Sequence, residues 1–159
     1  MCFVLDINSF HRAFNTRNAD HCDFAPLLSW LYNNPRTSLV IGGTHYREEL
    51  SKLQKYFDRL VELKRARKLR EICDKAVDAE EKRLKQAIKH RDFNDPHIIA
   101  IFCVSGCQIF ASHDKRADPF IKKKSLYPKD QKRPSIYRSA KHISLLCDSN
   151  IVSLRNEKT

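Results

Sequence analysis

Four acidic residues, Asp6, Glu49, Asp95 and Asp114, each stand where an apolar run ends or a helix-like pattern begins. Brought to one rim of a fold, they would form a carboxylate cluster. Clustered carboxylates repel one another and protonate or splay apart unless a cation neutralises them, so the pattern predicts bound Mg²⁺ or Mn²⁺. Such an ion lowers the pKa of a bound water and stabilises charge on an attacked phosphate, so that a phosphodiester is hydrolysed without a side-chain nucleophile. On this reading Asp6 is a direct ligand, and Asp95 and Asp114 complete or bridge the metal positions. Glu49 binds metal or orients the attacking water, and Asn8 hydrogen-bonds a water or Asp114.

The rest of the chain is set up for an anionic substrate. Lys and Arg number 30 against 19 Asp and Glu, a formal net charge of +11, which favours nucleic acid over an acidic small molecule. Between Lys115 and Lys141, ten basic residues face only Asp118 and Asp130, a net +8 of that total. Lys122, Lys123 and Lys124 fall in this stretch, whose cations are expected to engage phosphates and make binding fall with salt. With three glycines in 159 residues, no Gly-rich loop is present to cradle a nucleotide. The six cysteines include no Cys-x-x-Cys pair and read as reduced, mostly buried small hydrophobes. The seven histidines lack paired spacing, so no structural zinc site is expected.

The elements that would position the acids can be read from the apolar pattern. Cys2–Leu5 is a short buried strand ending at Asp6, and Thr37–Ile41 is a second. Asp23 is placed to cap a helix over Phe24–Leu31. Thr44 is placed to cap a long helix whose apolar face comprises Tyr46, Leu50, Leu53, Phe57, Leu60 and Val61. Leu69–Ile72 reads as a third strand, and Asp74 opens a charged helix through Ala76, Ala79, Leu84, Ala87 and Ile88. Asp95-Pro96 starts an apolar helix over His97–Ser105 that Gly106 stops. Cys107–Ala111 is another strand, with Asp114 just beyond it. Alternating strands and helices imply an α/β fold, a three-layer α/β/α sandwich on a mainly parallel sheet with right-handed crossovers. In such sheets ligands sit beyond the carboxyl ends of the strands, which is where Asp6 and Asp114 fall.

Four blocks carry a resemblance: Val4-Leu5-Asp6-Ile7-Asn8-Ser9-Phe10, Glu48-Glu49-Leu50, Phe93-Asn94-Asp95-Pro96-His97-Ile98-Ile99-Ala100 and Ser112-His113-Asp114-Lys115-Arg116. In their order they resemble the motif blocks of the PIN domain family, with His113 standing where an asparagine is common. The resemblance implies a Mg²⁺- or Mn²⁺-dependent ribonuclease and kinship with the toxins of toxin–antitoxin pairs. Its partners would be RNA and an antitoxin protein. It covers residues 1–126, leaving 127–159 as a basic C-terminal extension that either packs on the domain or orders when RNA binds.

Each acid also has a purely structural reading, Asp95 as an N-cap before Pro96, Asp114 as the cap of a helix holding Phe120 and Ile121, and Asp6 as a turn opener. Two rival functions follow, a PIN-like domain that binds RNA without cutting it and an interaction module that forms a homodimer. The chain opens with no basic leader before an apolar core, and no apolar run reaches membrane length, so a soluble, cytoplasmic protein is expected.

Overall fold

The computed structural model describes residues 2–158, so Met1 and Thr159, the outer bounds of the two predicted segments, lie outside the described residues. Five strands form one parallel sheet in the order β3-β2-β1-β4-β5: β1 (Cys2–Leu5), β2 (Ser38–Ile41), β3 (Leu69–Glu71), β4 (Ile109–Ala111) and β5 (Ser135–Tyr137). Phe3 pairs with Leu39 on one side and Ile109 on the other, which makes β1 the central strand. Every residue of β1, β2 and β4 is buried, as expected of parallel strands covered on both faces.

The helices are α1 (Phe10–Phe14), α2 (His21–Asn33), α3 (Thr44–Ser51), α4 (Phe57–Arg65), α5 (Asp74–Ala87), α6 (Pro96–Ser105) and α7 (Asp118–Ile121). From β1 the chain steps outward through β2 to β3, then returns past β1 to β4 and β5. With right-handed crossovers, steps in opposite directions place their helices on opposite faces, giving three layers. The reversal lies at the carboxyl ends of β1 and β4, the crevice where such sheets bind ligands.

Several expectations meet a different local structure. α2 starts at His21, three residues before the predicted Phe24, with Asp20 and not Asp23 at its N-cap. The long helix expected after Thr44 breaks at Lys52 and Leu53. A 3₁₀ turn over Gln54–Tyr56 then redirects the chain into α4. The break changes the helical phase, so Phe57 and Val61 are exposed while Leu63 is buried. Gly43, at φ 83°, takes the N-cap position expected of Thr44. The free N–H groups there are met from α5: Gly43 N–H donates to Asp74 Oδ1 at 2.9 Å and Thr44 N–H to Asp78 Oδ1 at 2.8 Å. α5 buries Val77, Glu81 and Leu84, whereas the predicted Ala79 and Ala87 are exposed.

The segment after Leu126 packs on the domain. β5 adds to the sheet beside β4, and Tyr137 is fully buried with its hydroxyl donating to Asp23 O at 2.8 Å. Gln131, also buried, donates to Phe102 O at 2.6 Å. Residues near the other end of this segment return to the opposite edge, where Cys73 N–H donates to Asn156 O and Lys158 N–H to Glu71 O. All six cysteines are free; Cys2, Cys103 and Cys107 lie in the core and Cys22 is exposed. Among the described residues, no helix is long and apolar enough to cross a membrane.

Candidate functional site

Asp6 is the first residue past β1, and its N–H donates to Ala111 O at 2.9 Å, which carries the sheet ladder one residue further. The chain then turns into the Ile7–Ser9 3₁₀ turn, which Asp6 Oδ1 caps by accepting from Asn8 N–H at 3.2 Å. Asp6 Oδ2 accepts from the Ser112 hydroxyl at 2.7 Å, and the same hydroxyl oxygen accepts from Asp114 N–H at 3.1 Å. One serine therefore ties the acid after β1 to the acid after β4. Ser112 is itself fixed by β5, because its N–H donates to Tyr137 O at 3.1 Å. Beside it, His113 N–H donates to Ser9 Oγ at 3.0 Å, which locks the two loops together.

Asp95 occupies the N-cap position of α6 with Pro96 following, yet its carboxylate makes no capping bond. Only its backbone carbonyl serves the helix, accepting from Ile98 N–H at 3.1 Å. The residue instead lines a cleft with Asp6, Asn8, Ser112, Asp114 and Arg116. About 80 Å³ of that cleft is accessible to water, room for several waters or a partly hydrated ion. Asp114 does not cap α7, whose N-cap is Ala117; its Oδ2 accepts from Arg116 Nε at 2.7 Å and also from Nη2.

The electrostatics differ from acid to acid. Burial raises the Asp6 carboxyl above the usual carboxylate range, with the Ser112 and Asn8 hydrogen bonds opposing it. Burial also raises Asp95, reinforced by the charges of Asp6, Glu49 and Asp114. The Arg116 guanidinium holds Asp114 below its ordinary value. Two carboxylates that resist ionisation beside a third that does not are a site short of positive charge.

Glu49 is not in the lining of this cleft. It projects from α3 toward two histidines, with Oε2 3.3 Å from His97 Nε2 and Oε1 3.5 Å from His45 Nε2. Its neighbour Glu48, the alternative within the same block, is exposed. Among the described residues, the grouping whose ligand atoms lie within 4.8 Å of one another, as a metal ion would need, is His45, Glu81 and His97. None of the predicted metal ligands, Asp6, Glu49, Asp95 and Asp114, belongs to it.

Two shallower grooves run out from the acid cleft. One passes Asp92, Asn94 and Arg116 to His90, Phe120 and Lys123; the other passes Asn8, Asp114 and Arg116 to Arg12, His113 and Lys115. Part of the basic stretch serves the fold instead. Arg138 and Lys122 pair with Asp118, and Arg133 Nη1 donates to Lys122 O. Comparison of the chain with protein-family models, with curated proteins and with solved structures gives no match.

Sequence reasoning assigned no role to Ser9, Ser112 or Tyr137. Ser112 stands two residues before Asp114, where a short side chain at a strand end can bond the following backbone. Nothing local marks Tyr137, whose contribution comes from strand pairing across 25 residues of intervening chain. Glu81 did leave a signal, a charged residue on a stripe otherwise held by Val77 and Leu84.

Proposed function

We propose that the protein is a metal-dependent ribonuclease of PIN-like type, hydrolysing RNA phosphodiesters at the cleft between β1 and β4. The observation that most supports this reading is Asp95. A carboxylate at a helix N-cap normally bonds the free N–H groups of the first turn. This one leaves them, stays partly buried and points its unmet charge at Asp6 and Asp114. Such an arrangement lowers the stability of the metal-free chain and is relieved by a cation.

The donors are all carboxylate oxygens, the type that hard divalent ions such as Mg²⁺ or Mn²⁺ take, although Asp6, Asp95 and Asp114 form no group with its ligand atoms within 4.8 Å of one another, so an ion would have to draw them together. Asp6, Asp95 and Asp114 would hold the ion, with Glu49 adding negative potential from beside Asp95. The bound ion supplies a lowered water pKa and positive charge at the phosphate. The chain supplies the orientation. Ser112 fixes the rotamer of Asp6, and Asn8 sits at the mouth to hydrogen-bond a water or the substrate. Arg116, exposed beside Asp114, can pass its fork to a phosphate oxygen when RNA arrives. Lys115 and Arg12 in one groove and Lys123 in the other flank the acids, so a single strand crossing them would meet cations on both sides.

The setting proposed with this activity is a cytoplasmic toxin whose antitoxin protein covers the cleft. Exposed Tyr32, Phe57 and Val61 on α2 and α4 support a homodimer. The experiment is cleavage of a panel of structured and unstructured RNAs in Mn²⁺ or Mg²⁺ by the native protein, by the protein in EDTA and by Asp95→Asn. Cleavage that needs metal and falls at least about a hundredfold in the variant, roughly 2.7 kcal/mol of barrier, is the expected result. Equal cleavage by Asp95→Asn, or RNA binding with no cleavage and no metal bound, overturns it in favour of a domain that only binds RNA.

A further inference from the structure

The interface among α3, α5 and α6 holds polar groups where apolar ones would pack. Glu81 lies on the buried stripe of α5, one turn from Val77 and just before Leu84, and is 6% exposed. His97 lies in the first turn of the apolar helix α6 and is 2% exposed. Charged or ionisable residues are rarely buried this far unless they are paired or hold a metal. His45 reaches them from α3, its ring centroid 4.0 Å from that of His97 with the planes tilted by 40°, and its Nδ1 3.0 Å from Glu81 Oε1. The nitrogen of each imidazole and an oxygen of Glu81 fall within 4.8 Å of one another. His97 Nδ1 is buried without a hydrogen-bond partner, an arrangement that is costly for a polar atom unless something binds it.

We propose that His45, Glu81 and His97 form a second metal site, for a divalent transition ion of the Zn²⁺ class, separate from the acid cleft. Two imidazoles and one carboxylate suit Zn²⁺ and its first-row neighbours and not Mg²⁺. Three protein ligands leave a coordination position open, and the one-third-exposed His45 provides an entry path. Glu49 completes the arrangement from outside. Its two oxygens face the Nε2 atoms of both rings, the role of a carboxylate that fixes the tautomer of metal-binding histidines and leaves Nδ1 to the ion. Lys85 Nζ, 2.6 Å from Glu81 Oε1 and over half exposed, supplies the positive charge when no ion is bound and swings out to solvent when one is. The ion clamps α3, which carries Glu49, against α5 and α6.

Zn²⁺ binding by calorimetry and Co²⁺ binding by visible absorption, on the full chain without RNA, test this site independently of nuclease activity. With excess Mg²⁺ present to occupy the acid cleft, the native protein and Asp6→Asn are expected to bind one Zn²⁺ or one Co²⁺ alike, with a Co²⁺ spectrum showing nitrogen ligation. His45→Gln and Glu81→Gln are expected to weaken binding at least a hundredfold, and Lys85→Ala to tighten it severalfold. Thermal melts check that each variant folds. Should Glu81→Gln not fold, the partly exposed His45 and Lys85 still decide the matter. No binding by the native protein, binding lost in Asp6→Asn instead, or binding unchanged in His45→Gln overturns the proposal.

Discussion

At the scale of single residues, Asp95 has the clearest consequence. Its carboxyl is raised by burial and by Asp6, Glu49 and Asp114, so the folded chain holds this proton more tightly than the unfolded chain does. Below the ordinary carboxylate value both states are protonated and nothing is lost. As pH rises through the window from that value to the raised one, the folded state must give up the proton at a cost, and stability falls. Asp95→Asn removes this contribution. In EDTA the variant is therefore expected to melt above the native protein at pH 7, by about 2–4 °C for each kcal/mol relieved, with the gap closing toward pH 3.5. Mn²⁺ should reverse the order, because saturation at a hundred times Kd adds about 2.7 kcal/mol to the chain that binds it. Melts in EDTA and Mn²⁺ across this pH range measure both effects; a gap that does not vary with pH would place the cost of Asp95 elsewhere.

At the scale of elements, the placement of α3 depends on Gly43. A Cβ there would stand 2.6 Å from Val77 Cγ1, at a φ of 83° that side-chain-bearing residues rarely adopt. Gly43→Ala is expected to cost roughly 2–3 kcal/mol, combining the positive φ and the overpacking against α5. It should also lift α3, so that its melting temperature drops and His45 parts from Glu81; chemical denaturation with imidazole NMR signals as a probe reads both. The strands and most helices were legible because buried parallel strands are short, continuous apolar runs and because Asp95-Pro96 and Gly106 punctuate α6 on either side. The break at Lys52 was not, since Leu53, Leu60 and Val61 continue a helical period that only the 3₁₀ turn interrupts. Asp6, Asp95, Asp114 and Asn8 were placed at one cleft by their positions at element ends. Glu49 was expected there too, and its turn toward His45 and His97 depends on how α3 rests on α5 and α6, which no local pattern encodes. For the same reason seven histidines without regular spacing gave no hint that the rings of two of them meet.

At the scale of the molecule, the charge of +11 matters less than where it remains available. Lys115 and Lys123 border the grooves, whereas Arg138 and Lys122 are committed to Asp118. On the proposed ribonuclease reading, RNA affinity is expected to fall linearly in log–log terms with salt, each phosphate contact adding about 0.7 to the slope for a single strand. Lys115→Glu with Lys123→Glu should lower that slope by about 1.4 and weaken every RNA alike without altering the melt. Fluorescence anisotropy over a salt series checks this, and an unchanged slope would exclude these grooves as the path of the proposed RNA.

The same stretch that carries the cations also contains β5, whose Tyr137 carbonyl holds Ser112 and through it Asp6. During synthesis, therefore, residues 2–126 leave the ribosome with the acids encoded but the serine brace incomplete and β4 an open edge. Residues 135–137 close the sheet, and residues 155–158 then tie back to α6 and β3. The order of the two acids thus depends on a strand that follows them in the chain, and removing β5 is expected to loosen Asp6 and Asp114 together, because both are held through Ser112.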